Sequence, residues 1–248
     1  NIANEYKSKI VAFGDDWQSI YSFNGSKINY IYDFNKYFPN AKLMTICKTY
    51  RNSKEIVDYS KSFIMKNKKQ INKDLVATKS LKDSVKFVLY DDLDEVTKLK
   101  KVILDIYSKN RDSRILILGR TNRVINELYN DNELIDSIGT KLVYKGYNEI
   151  KIDAMTIHKS KGLTYDEVIL LGLTNGFPNN KKGFWMLNVF RNEEVNEGIA
   201  FAEERRVFYV AMTRTLNHLY MFVPQDVAKR SPYVKEICEI IANSTVDK

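Results

Sequence analysis

Ten glycines occur in the sequence, and none is followed by lysine. A Gly-Lys-Ser/Thr phosphate loop, whose backbone amides cradle a nucleotide's phosphates, is therefore missing. Cysteine is scarce as well. Cys47 and Cys238 lie far apart and neither has a CxxC partner. This argues against a disulfide framework or a zinc site and fits a reducing cytoplasm. Two histidines, His158 and His218, are too few for a histidine metal cluster. The longest apolar runs, such as Val168 to Leu171, are strand-sized. A membrane span needs about 18 apolar residues or more, so no membrane partner is expected. No signal-peptide pattern is visible, and a chain that begins at Asn1 rather than Met reads as part of a longer one.

What is present points to a globular chain with an anionic partner. Hydrophobic residues make up 44% of the 248 positions, enough for a sizeable core. Lys and Arg number 39 against 31 Asp and Glu, a formal net charge of +8. That balance suits nucleic acid, and it also suits an ordinary lysine-rich soluble protein. The densest basic stretch, Lys61 to Lys82, holds seven lysines. It reads either as a contact surface or as a solvated helix face.

Short apolar runs alternate with helical patterns. Lys9 to Gly14, Lys42 to Lys48, Val85 to Tyr90, Arg114 to Leu118, Ile152 to Ile157, Glu167 to Leu171 and Leu219 to Val223 read as strands. Ser53 to Lys66, with Ser53 as N-cap, Asp91 to Asn110, Val124 to Ile138 and Glu203 to Arg214 read as helices. Asn175 to Asn196 reads as a long loop. The alternation predicts an α/β fold: a mostly parallel sheet with helices on both faces, lacking a phosphate loop of its own. Ligands of such sheets sit beyond the carboxyl ends of the strands, and the chemical motifs are expected there.

Four segments carry that chemistry. In Gly14-Asp15-Asp16-Trp17-Gln18-Ser19-Ile20-Tyr21-Ser22-Phe23, acids and an amide can orient water or a phosphate oxygen. Tyr21 and Phe23 could stack on bases or serve as core. In Thr49-Tyr50-Arg51-Asn52-Ser53, Arg51 stands between a strand and a helix, near the sheet's carboxyl edge, where a guanidinium suits a phosphate or a surface ion pair. Met155 to Leu163 ends a strand in Thr156, His158, Lys159, Lys161 and Gly162, groups that could bind backbone phosphates. A lone strand histidine is also commonly structural. Glu203 to Arg214 is an amphipathic helix with Arg214 at its end, able to reach into a cleft.

In this order the segments GDDWQSIY, TYR, MTIHKSKGL and AEERRVFYVAMTR resemble motifs III to VI of superfamily 1 DNA helicases of the UvrD/Rep-like branch, over roughly residues 9 to 236. The resemblance implies a RecA-like, P-loop NTPase-type domain, the C-terminal of two motor domains that hold ATP between them. ATP and Mg2+ would be bound mainly by the N-terminal RecA-like domain of the same protein. By the family pattern, Gln18 would sense the γ-phosphate, and Arg51 and Arg214 would stabilise it in trans. Tyr50 would lie on the adenine and Gly162 would line the cleft. Tyr21 and Phe23 would stack on single-stranded DNA, at a strand or a junction, with Thr156 and His158 on its backbone. A bacterial cytoplasm or nucleoid would be the setting.

Three positions depart from the pattern. Asn24 stands where relatives often carry Arg, and Thr164 where many carry a ribose-binding Glu. Related helicases often have Trp where Phe23 stands, and Phe can still stack, with less area. About a hundred residues separate Arg51 from Met155, an interval in which many relatives insert a large domain. Here it reads as the sheet's own strands and helices, so residues 1–248 are expected to form one compact motor domain. The family's magnesium-binding Asp-Glu pair should precede the Gly14 strand and is absent, so the chain reads as starting just past it. A non-catalytic nucleic-acid-binding scaffold derived from a helicase is the alternative. A metal nuclease using Asp15 and Asp16 lacks further placed carboxylates.

Overall fold

The structure, a computed structural model, describes residues 9–91, 93–136, 140–178 and 199–246. A seven-stranded sheet runs through it. Its strands are β3 (Val85–Tyr90), β4 (Arg114–Gly119), β5 (Leu134–Asp136), β6 (Lys141–Tyr144), β7 (Lys151–Thr156), β8 (Tyr165–Leu170) and β9 (Thr215–Pro224). They are ordered β3-β9-β8-β4-β7-β6-β5. The first five in that order are parallel, and β6 and β5 close the sheet antiparallel. Apart from it, β1 (Lys48–Thr49) pairs with β2 (Val76–Ala77) in parallel. After two single-turn helices at Asn29–Tyr32 and Phe34–Tyr37, the longer helices are α1 (Lys54–Ile64), α2 (Glu95–Lys109), α3 (Asn122–Asn126), α4 (Ala202–Met212) and α5 (Pro232–Val246). Among the described residues no helix is long and apolar enough to cross a membrane.

Strand alternation sends the core two ways. Leu116, Leu118, Met155, Val168, Leu170, Leu219 and Met221 join α1, α4 and α5 in one cluster. Their neighbours Ile115, Ile117, Ile152, Ile169, Tyr220 and Phe222 join α2 and α3 in another. Because β4, β8 and β9 are covered on both faces, their sequences are nearly continuous apolar runs. On α1 the buried stripe Ile56, Val57, Ser60, Phe63, Ile64 repeats at helical spacing, and Ser53 caps the helix by accepting from the Ile56 amide. The α2 stripe is Leu99, Ile103 and Ile106.

Several expected elements form differently. Lys9 to Gly14 is not a strand but an irregular segment, with Phe13 86% exposed and Ile10 and Val11 nearly as open. An apolar run becomes a strand only where a neighbour satisfies its backbone, and no strand of this sheet pairs with it. Of Lys42 to Lys48 only the last residue is paired, in β1, and Leu43, Met44 and Ile46 are exposed. Val124 to Ile138 is not one helix. It divides into the end of α3, a 3-10 turn at Glu127–Asn130 and edge strand β5. Of the loop from Asn175 to Asn196, residues 179–196 lie outside the described residues. The basic run Lys61 to Lys82 is not one helix face, since α1 stops at Ile64. Lys61 and Lys66 pair with Asp74 and Glu236, Lys73 is mostly buried on two aspartates, and Lys79 donates to the Leu216 carbonyl.

Where β4 ends, Gly119 is packed so closely that a Cβ would lie 2.9 Å from Val124 Cβ. Overpacking against a β-branched helix residue costs about 1–3 kcal/mol. We expect Gly119→Ala to lower stability by that amount in urea denaturation, and Val124→Ala, which removes the Cγ1 that would lie 3.0 Å from the new Cβ, to recover part of it in the same chain. Strict additivity of the two changes would contradict the contact.

Candidate nucleotide and nucleic-acid sites

Helix α4 and the segment Asp15 to Phe23 lie side by side in opposite directions. The Trp17 ring meets Tyr209 edge-on at 5.4 Å between centroids. Arg206 Nε donates to the Ser19 carbonyl at 2.6 Å, and the Ser22 amide donates to Glu203 at 2.9 Å. The first turn of α4 thus holds the Ser22 end of the segment, and the residues past its last turn hold the Gln18 end. These two ends fall on opposite edges of the sheet. Arg214 immediately precedes β9, and Gly162 and Leu163 precede β8, so they stand at the amino edge. Arg120 follows β4, and Thr156 ends β7, at the carboxyl edge. The chemical residues were expected at the carboxyl ends throughout. Arg51 follows β1, outside the main sheet, and joins the amino-edge group.

At the amino edge Arg214 is fully buried. Its Nε donates to the Val210 carbonyl at 2.9 Å, and its Nη atoms donate to Leu163, Gln18 and Thr213. The Gln18 Oε1 contact is 3.2 Å. Burial and, second, the charge of Arg51 bring the Arg214 pKa down to about 10, so it stays a cation at neutral pH. Gly162, at φ +89°, turns the chain in the left-handed region just before Leu163, whose carbonyl Arg214 binds. Arg51 is brought here by Asn52, whose buried amide donates to the carbonyls of Thr213 and Thr215. The Arg51 guanidinium makes no ion pair or hydrogen bond among the described residues. Tyr50 is 70% exposed, with the Lys48 ammonium 5.3 Å from its ring centre. Arg214 was expected to reach into a cleft; instead it is stored inside the protein, with every guanidinium nitrogen engaged.

At the carboxyl edge, Phe23, Thr156 and His158 line one open groove of about 350 Å3 together with Arg120, Thr121 and Asn122. Phe23 is 45% exposed, and its ring meets His158 at 5.6 Å. Tyr21 is tied down: its hydroxyl donates to the His158 carbonyl at 2.8 Å, and its ring packs on the core beside Lys161. Phe23 is therefore the ring open to stacking, and Tyr21 its support. Burial, then the Arg120 charge, lowers the His158 pKa, so the imidazole is neutral at pH 7. Arg120 forms a two-pronged pair with Glu204. Its place after a buried parallel strand is the one sequence signal that could have singled out Arg120, Thr121 and Asn122. Asp15 and Asp16 both bind Lys73, and among the described residues no group of three potential ligands could hold a metal ion.

Residues 126–225 match the UvrD-like helicase C-terminal domain family. DNA helicase IV of Escherichia coli is 31% identical over 244 residues, which cover 97% of this chain and 32% of that protein. The ATP-dependent DNA helicase PcrA of Staphylococcus epidermidis is 30% identical over 135 residues, 52% of this chain and 18% of that protein. The chain therefore spans about a third of the length of DNA helicase IV or less of such relatives. Among solved structures, the C-terminal domain of a possible DNA helicase from Lactobacillus plantarum aligns with a TM-score of 0.45 at 15% identity, covering 76% of this chain and 94% of that one.

A depressed histidine pKa stabilises the fold above the unfolded value, here 6.5, and the benefit is lost as pH falls through the folded value. We expect the native chain to lose more stability than His158→Gln when pH drops from about 7 to 5. Parallel urea-denaturation curves for the two proteins across that range would rule His158 out as the titrating group.

Proposed function

We propose that this chain, whose residues 126–225 belong with the UvrD-like helicase C-terminal domains, is the second RecA-like motor unit of an ATP-dependent DNA helicase. The observation that carries this is the Arg51–Arg214 pair. Asn52, bound to the carbonyls on either side of Arg214, sets Arg51 beside it; burial and then the Arg51 charge lower the Arg214 pKa, and Arg51 has no counter-ion among the described residues. Such a pair favours an anion between or beside it. A scaffold would gain nothing from that repulsion.

Hydrolysis of ATP with Mg2+ would supply a γ-phosphoryl group whose charge spreads over its oxygens during transfer. The residues of this chain suit that group. Arg51 offers a guanidinium with no partner among the described residues, the Tyr50 ring is open for an adenine, and Gly162 leaves space where a side chain would stand. Arg214 would join when Gln18 and the Leu163 carbonyl release it, so the oxygen of Gln18 governs its availability. The groove at the other edge would take single-stranded DNA. Phe23 would stack on a base, and Thr156 and His158 would meet the backbone. A neutral imidazole there donates a hydrogen bond without adding charge, and Arg120 supplies the nearby cation.

We assign ATP and magnesium chiefly to an N-terminal RecA-like unit of the same protein, working in the cytoplasm. The exposed apolar side chains of Ile10, Val11, Phe13, Leu43, Met44 and Ile46 support a protein neighbour on that side. Residues 1–248 act in this reading as one motor domain without a large insertion. The interval between Arg51 and Met155 supports it by supplying α1, α2 and strands β3 to β6 of the same sheet.

Joined to the ATP-holding half, Arg51→Ala and Arg214→Ala should each lower DNA-stimulated ATP turnover by roughly 10³-fold or more. Phe23→Ala should weaken single-strand binding by about 1–3 kcal/mol. DNA-stimulated ATP turnover by the 248-residue chain alone would defeat the assignment of ATP to a separate unit.

A further inference from the structure

A mostly buried cation, Lys73, stands outside the roles assigned above. Lys73, in the segment between α1 and β2, has a side chain only 15% exposed. Its ammonium is 2.6 Å from Asp15 Oδ1 and 2.5 Å from Asp16 Oδ1, and 4.7 Å from the centre of the Trp17 ring. The same short segment anchors the turn twice more. The Ile71 amide donates to Asp16 Oδ2 at 2.9 Å, and Trp17 Nε1 donates to the Ile71 carbonyl at 3.0 Å. The other oxygen of Asp15 accepts from Gln18 Nε2 at 2.5 Å, and Gln18 Oε1 accepts from Arg214. A continuous line of polar contacts therefore runs Lys73, Asp15, Gln18, Arg214.

We propose that Lys73 is a positioning residue for Gln18, and through it for Arg214. A primary amide presents an oxygen or an NH2 group depending on which way it is turned. Asp15, an acceptor only, binds the NH2 group of Gln18 and so commits the oxygen to Arg214. Lys73 keeps Asp15 in that place. It neutralises two adjacent carboxylates that would otherwise repel each other, one of them almost wholly buried. Without Lys73, the cations that still feel the charge of Asp15 include Lys161 and Arg214. Asp15 would turn toward them, release the amide, and disturb the stored guanidinium. The inference rests on the proposed role of Gln18 and Arg214 for its meaning in ATP turnover, though not for the geometry.

The test reads Arg214 directly in the 248-residue chain. Solvent exchange of its guanidinium protons is followed by NMR, the signal being assigned by its loss in Arg214→Lys. Lys73→Met keeps an apolar stem against Trp17 and removes the charge. We expect exchange at least about tenfold faster in Lys73→Met, with Lys73→Arg close to the native rate. Lys61→Met, which removes an outer lysine of the neighbouring Lys61–Asp74 pair, should leave it unchanged. Native-like exchange in folded Lys73→Met, or equal acceleration by Lys61→Met, overturns the proposal. If Lys73→Met does not fold, Asp15→Asn, which retains the Lys73–Asp16 pair, carries the same expectation. In the protein with its ATP-holding half, Lys73→Met should lower kcat and spare the KM for ATP. Accelerated exchange with unaltered kcat would uphold the positioning role and refute the phosphate role of Arg214.

Discussion

Everything near the candidate sites hangs on the burial of α4 along its whole circumference. Four successive side chains, Glu203, Glu204, Arg205 and Arg206, leave a helix about 100° apart and must find partners in four directions. They do so in four separate segments. Glu203 takes Ser22, Glu204 takes Arg120, Arg205 takes Glu236 and the Phe63 carbonyl, and Arg206 takes the Ser19 carbonyl. Burying two arginines is costly unless their donors are met. The arginines thus make the positions of these segments mutually dependent. The Arg205 guanidinium also lies over the rings of Phe63 and Tyr233, which joins α1 and α5 to the same helix.

This arrangement explains how one short helix serves two edges of a sheet. Eleven residues at about 1.5 Å each make a rod of roughly 16 Å. Its first turn fixes the groove side, through Ser22 and Arg120. Its far end leads into Arg214 and touches Gln18. The segment Asp15 to Phe23 and the crossover from Thr156 to Leu163 span the same distance beside it. A displacement of Phe23 or His158 at one edge would therefore be felt at Gln18 and the Leu163 carbonyl at the other. Both ends are held by side chains on rigid elements, which favours movement of the rod as a unit over local bending.

Much of the frame was legible in the sequence because burial on both faces leaves a plain mark. β4, β8 and β9 are apolar runs bounded by charge, and α1 and α2 show helical stripes with caps or acids ahead of them. The same rule misled at Lys9 to Gly14 and Lys42 to Lys48, where apolar composition implies burial but cannot say against what. At Val124 to Ile138, local helical spacing lost to the edge of the sheet, which claimed Leu134–Asp136 as a strand. For the site, motif order singled out Gln18, Arg51, Arg214, Phe23, Thr156 and His158. It could not show that Arg214 is stored inside the protein, that Tyr21 supports rather than faces the groove, or that Arg120 lines it. Those facts depend on contacts between residues 50 to 200 positions apart. Lys73 was hidden for the same reason, being one lysine of seven in a run whose members turn out to do unrelated things.

The two misread segments also bear on the nucleotide end. Ile10, Val11 and Phe13 lead directly into Asp15 and Gln18, and Leu43, Met44 and Ile46 lead directly into Tyr50 and Arg51. Each exposed apolar stretch is thus the immediate approach to one part of the amino-edge cluster. A protein surface that covered both would remove a large apolar area from water, a strong and non-directional drive. It would at the same time restrain the backbone on which Gln18 and Arg51 sit. Lys73 and Asn52 hold those two elements from within this chain, and a neighbour would hold them from the other side. Closure of such a neighbour would also exclude water around the Arg51 guanidinium, which strengthens its attraction for a phosphate. The same contacts that bury the apolar stretches would therefore complete the anion site, so that association and chemistry are coupled by chain continuity alone.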